Sequence, residues 1–114
     1  MDGEYVFCTF QHAQYGDCSD LEPIAAIKEP EGLTLIIPRS KADDRSFSYG
    51  SVFKEITLSI HSSLDAVGLT AAFSSKLSEY GISANVIAGY YHDHIFVQKE
   101  LADKAIEALN ELAR

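Results

Sequence analysis

Between Phe53 and Leu112 the apolar positions switch between period two and the longer helical period, and each switch predicts an element. Ile56, Leu58 and Ile60 alternate with Thr57, Ser59 and His61, which predicts a strand over Lys54–His61 with one apolar face. Leu69, Phe73, Leu77 and Tyr80 then form one stripe at helical spacing, predicting a helix over Asp65–Tyr80 with Gly81 as its C-terminal cap. Two short strands follow, Ala84–Gly89 and His94–Gln98. Ala102, Ala105, Ile106, Leu109 and Leu112 make a second stripe, with Asp103, Lys104, Glu107 and Glu111 opposite, predicting a helix over Leu101–Ala113. The order is βαββα. In a single antiparallel sheet, the end of the first strand, the start of the first helix and the hairpin Tyr90–Tyr91–His92–Asp93 fall at one end. Backbone amides around Val67–Thr70 would then face the carboxylate of Asp93.

The first half reads almost entirely as sheet. Tyr5–Phe10 is a short alternating run, Pro23 precedes Ile24–Lys28, and Pro30–Glu31–Gly32 is turn chemistry leading into Leu33–Ile37, which Pro38 closes. The polar connections Gln11–Leu21 and Arg39–Ser51 complete this half, the second with one helical turn after Ser40. Neither is long enough to separate independent domains, so 1–114 is expected to be a single compact unit with halves 1–52 and 53–114. A split βαβ sheet normally takes a fourth strand after its second helix. Here the sequence stops at Arg114, so another segment is expected to fill that edge. Tyr5–Phe10 is the candidate, within the chain or exchanged with a second copy, because an open apolar edge invites uncontrolled pairing.

Composition narrows the chemistry. The 114 residues carry 9 Lys and Arg against 17 Asp and Glu, a formal net charge of -8. That balance argues against nucleic acid as a partner, since affinity for a phosphate backbone comes largely from Lys and Arg; dispersed carboxylates serve solubility. No apolar run follows a basic N-terminal stretch and none approaches membrane-spanning length, so no membrane partner and a cytoplasmic location are expected. Cys8 and Cys18 fit neither a disulfide framework nor a zinc site and are expected to be reduced. No cofactor is implied.

Several segments carry a resemblance. Ser62–Ser63–Leu64–Asp65–Ala66–Val67–Gly68–Leu69–Thr70, Gly81–Ile82–Ser83–Ala84–Asn85 and His92–Asp93–His94–Ile95–Phe96–Val97 resemble an ACT domain, and Tyr5–Thr9 with Glu31–Pro38 extend the likeness to nearly the whole chain. The resemblance is to small bacterial ACT-domain proteins and, beyond them, to the regulatory ACT domains of aspartate kinase and the animal cytosolic arginine sensor. It implies an α+β, ferredoxin-like ACT fold in which the N-terminal strand and hairpin complete or extend the sheet. It also implies a regulatory, non-enzymatic module that senses an amino acid or similar small molecule at an interface between ACT units. Such a module is expected to be a homodimer or larger homo-oligomer and to act on a separate, unidentified target enzyme.

The residues themselves suit an amino-acid site. An α-carboxylate needs convergent N–H donors, which a helix start supplies together with a favourable dipole, and Gly68 permits close backbone approach. In relatives that bind amino acids the matching amides take the carboxylate, which points here to Gly68, Leu69 and Thr70, with Ser63 and Asp65 in the preceding loop. The arginine sensor's hairpin acid matches Asp93, whose implied role is to accept from a ligand cation. Gly89, Tyr90 and His92 are expected to line the same pocket. Other readings stay open. Ser62, Ser63 and Asp65 are good helix caps without any ligand, and Asp93 suits a plain turn. The ACT surfaces could serve only to assemble subunits or dock an enzyme. His92, Asp93 and His94 with His61 are metal-ligand types, as a small metal-dependent enzyme would require, but match no spacing signature. Ser62 or Ser63 with His61 and Asp93 lacks the nucleophile-elbow pattern of a hydrolase.

Overall fold

A computed structural model of the protein describes residues 3–59 and 66–112. The backbone divides between Phe53 and Lys54 into two units.

In the first unit, strand β1 (Tyr5–Phe10) has the bounds its alternation predicts, and Val6 and Cys8 are buried. It pairs antiparallel with β3 (Gly32–Pro38) along its whole length, from Tyr5 opposite Pro38 to Phe10 opposite Leu33. β3 in turn pairs with β2 (Ala25–Glu29), and Glu29 stands opposite Gly32 across the two-residue turn Pro30–Glu31. Gly32 is required at that turn: a Cβ there would lie 2.8 Å from the carbonyl oxygen of Phe10 and 3.0 Å from the Cα of Gln11. Helix α1 (Arg39–Asp44) follows Pro38 directly, two residues earlier than the expected turn after Ser40, and buries Ala42. The Gln11–Leu21 connection also holds a 3₁₀ turn, Ser19–Leu21, that the sequence pattern does not announce. Its Leu21 joins Val6, Cys8, Leu33, Leu35, Ile37 and Ala42 in one core. The rest of the connection lies along β2, where the Lys28 ammonium donates to Gln14 Oε1 at 2.8 Å and the Lys28 amide donates to the Tyr15 hydroxyl at 3.0 Å. An Asp20–Arg45 ion pair ties the turn to the end of α1.

Strand β4 (Phe53–Ser59) begins in this unit, and its first residue pairs antiparallel with Tyr5.

The second unit runs from β4 to α2 (Ala66–Glu79), β5 (Asn85–Ala88), β6 (His92–Gln98), a 3₁₀ turn at Lys99–Leu101 and α3 (Ala102–Leu112). Its strand order is β4-β6-β5. The expected stripe is realised in Phe73 and Leu77, which pack with Ile56, Ile82, Ile95 and Val97. On α3 the buried positions are Ala102, Ala105 and Ala108, whose small side chains let the helix lie close to the sheet and to α2. Gly81, at φ 72°, ends α2 as its position predicts, and the Ile82 amide reaches back to the carbonyl of Leu77 at 2.9 Å. Lys76 of α2 and Tyr80 just after it both contact Glu111 of α3.

Candidate functional site

Gly68, Leu69 and Thr70 fall in the opening turns of α2, which starts at Ala66, so the Gly68 amide is among those without an acceptor in the helix and the Thr70 amide is past them. Ser63 and Asp65, with Ser62 and His61, lie outside the described residues.

The hairpin differs from its expected form in a way that matters. The Gly89 amide donates to the carbonyl of His92 at 2.9 Å, closing a turn of only Tyr90 and Tyr91, so β6 starts at His92 and not His94. Asp93 is consequently a strand residue, opposite Ala88, and the hairpin acid expected at the turn is instead buried at 3% exposure. It alternates with Ile95 and Val97, so it lies on the strand face that carries the helices. It is the buried charged side chain among the described residues. A buried charge is costly unless partnered, and Asp93 has interactions of its own within the protein.

The pleat sends its neighbours to the other face. His94 Nδ1 lies 2.9 Å from Glu55 Oε2, and the His92 and His94 rings stand 6.2 Å apart. Gly89 lies against this histidine, where a Cβ would come within 3.3 Å of His94 Nε2 and 3.0 Å of the His92 carbonyl oxygen. Tyr90 and Tyr91 project at 91% and 71% exposure with their rings in edge contact. The expected site residues thus part company. Asp93 shares the helix-covered face with α2, Tyr90 and His92 are exposed, and Gly89 serves the turn. Among the described residues no group of three or more His, Cys, Asp or Glu side chains is arranged to hold a metal.

A second feature, unannounced by the sequence, lies in the first unit where β1 begins and β3 ends, remote from the β2–β3 hairpin. The Arg39 amide donates to the Glu4 carbonyl at 2.8 Å, carrying the ladder one step past both strands. Its guanidinium then turns back. Nη1 lies 2.7 Å from Glu4 Oε1, Nε donates to the Tyr49 hydroxyl at 3.2 Å and lies 3.5 Å from Asp43 Oδ2, and Tyr49 donates to Asp43 Oδ1 at 2.7 Å. Hydrogen bonds to Glu4 and then Tyr49 hold the guanidinium well above its ordinary pKa. Beside it opens a cleft of about 470 Å³ walled by Glu4, Tyr5, Pro38, Arg39, Ser40 and Asp43. Glu4 and Arg39 are 35 positions apart, so no local spacing could have paired them.

Fold and sites together define a chain of two α+β units, and comparison with known proteins agrees. Two family models described as ACT domain match it, one over residues 54–111 and the other over 1–54. The chain belongs to the ACT-domain family, whose members are typically regulatory ligand-binding modules. It is similar, at 56% identity and a TM-score of 0.91, to a Vibrio cholerae protein of unknown function described as a possible transport protein, over 100% of this chain and 87% of that one. It also shares the fold of aspartokinase alpha and beta subunits, with a TM-score of 0.66 at 12% identity over 97% of this chain and 88% of that one. No curated protein matches the chain. Among the described residues no helix is long and apolar enough to cross a membrane.

Proposed function

We propose that the protein is a non-catalytic regulatory module that binds an amino acid in its second unit. Gly68, Leu69 and Thr70 of α2, with Ser63 and Asp65 before them, receive the α-carboxylate, and Asp93 accepts from the ammonium or another cationic group. The observation that carries this reading is the burial of Asp93 on the helix-covered face of β6. A buried carboxylate is costly unless partnered, and a ligand cation adds a partner of opposite sign to those Asp93 has within the protein. The module works as a homo-oligomer in the cytoplasm and reports to a separate target enzyme.

Thermal shift across the proteinogenic amino acids tests the reading, because a ligand that binds only the folded state raises the melting temperature once its concentration exceeds Kd. Asp93→Asn should weaken binding of the amino acid so found by about tenfold or more, since a hydrogen bond to a charged group contributes roughly 1.5–3 kcal/mol. Equal affinities in calorimetry would remove Asp93 from the site.

The exposed Tyr90–Tyr91 pair favours a second reading, an assembly or docking module with no ligand, since aromatic side chains anchor protein interfaces. If no amino acid shifts the melting temperature, and Tyr90→Ser with Tyr91→Ser converts an oligomer to monomer in sedimentation, this second reading replaces the first.

A further inference from the structure

We propose that the cleft beside Arg39 is a separate binding site for a small zwitterion, one ammonium and one carboxylate on a compact skeleton. It stands apart from the α2–hairpin site: it belongs to the first unit, and it opens at the strand end remote from the hairpin, whereas the other site was placed at the hairpin end.

The cleft presents one guanidinium, Arg39, flanked by two carboxylates, Glu4 and Asp43, all three partly exposed. A simple anion reaching Arg39 would meet both carboxylates, and a simple cation reaching the carboxylates would meet Arg39. A zwitterion satisfies both signs at once. Its carboxylate fits the planar fork of the guanidinium, which recognises that geometry in a way an ammonium cannot. Its ammonium is then left beside Glu4 and Asp43, which accept.

Without ligand the same groups satisfy one another. That does not close the site, because ion pairs open to solvent contribute little net stability and exchange readily for an equivalent partner. The cleft is open to solvent, with a volume of about 470 Å³. Tyr5, Pro38 and Ser40 also line it. Gly3, at φ 85°, lines the cleft beside Tyr5.

The test is amide NMR of the full chain during titration with a mixture of the proteinogenic amino acids, then with its members singly, and with acetate and methylammonium as half-ligands. Saturable shifts at Glu4, Arg39, Ser40 and Asp43 are expected with an amino acid and with neither half-ligand. Arg39→Met should raise Kd by at least about tenfold, as loss of a charge-assisted pair does, and Asp43→Asn by several-fold. If Arg39→Met fails to fold, Arg39→Lys replaces it, keeping the charge but not the fork, and should also weaken binding. Shifts confined to residues 66–70 and 89–93 would overturn this site and leave the proposed function standing; shifts confined to the cleft would do the reverse. Cleft shifts produced equally by acetate, or unchanged affinity in every Arg39 variant, would overturn the zwitterion assignment.

Discussion

The two units run through one element order, strand, connection, hairpin and helix, and differ most in the connection after the first strand. In the first unit that connection contains a three-residue 3₁₀ turn with one buried side chain, Leu21; in the second it is α2, fourteen residues long, which buries Phe73 and Leu77. So short a turn offers neither an amphipathic face nor a row of helix-start amides. The connection after the first strand therefore presents a row of helix-start amides in the second unit and not in the first, whose charge cluster lies where β1 begins and β3 ends. What the units share is subtler. Thr34–Asp43 and His94–Asp103 both run from a strand into a helix and bury an alanine, Ala42 or Ala102, just before an aspartate. A small side chain there lets each helix approach its own strand.

The comparison breaks first if the short turn is not a true cover for its core. Phe73→Ala is expected to cost about 3–5 kcal/mol and Leu21→Ala about 2–5 kcal/mol in urea unfolding, because both remove fully buried side chains. A cost for Leu21→Ala like that of a surface change would mean that the strands alone hold the first unit. The hairpins give a smaller contrast. Gly32→Ala meets backbone at 2.8 Å and should cost about 1–3 kcal/mol, whereas Gly89→Ala meets its closest backbone atom at 3.0 Å and should cost less, about 1 kcal/mol. The reverse order would show that the His94 ring, held by Glu55, is the more rigid wall.

The smallest effect separates the units by pH. Hydrogen bonding to Arg45 depresses the Asp20 carboxyl below its ordinary value of 3.8, so its contribution is present above that value and lost as pH falls through the folded pKa. Lys76 is raised above 10.5 by Glu79, so its contribution is present below that value and lost as pH rises through the folded pKa. Asp20→Asn should thus lower the melting temperature slightly at neutral pH and not in strong acid, and Lys76→Met should do so at neutral pH and not in strong alkali. Both groups face solvent, so high salt should erase both differences. Differences that persist in high salt would point to packing in place of charge.

Much of the fold was legible because its signals are local. Tyr5–Phe10 alternates and folds with the bounds that alternation predicts, and the stripe through Phe73 and Leu77 together with Gly81 defines α2 and its end. Pro30–Glu31–Gly32 likewise marks a turn from three adjacent residues. The Ser19–Leu21 turn was not legible, because a single buried leucine in a polar run has no period.

The sites divide along the same line. The sequence by itself determined the order of strands and helices, the helix that contains Gly68–Thr70 and the hairpin near Asp93, since each depends on periodicity or turn chemistry within a few residues. Only the tertiary structure decided that Gly89 and His92 close the turn, a register choice of two residues that moves Asp93 from a solvated loop into the interior. Only it brought Glu4, Arg39, Asp43 and Tyr49 to one cleft. Charges far apart in sequence meet through strand pairing, and a one-dimensional pattern contains no term for that pairing.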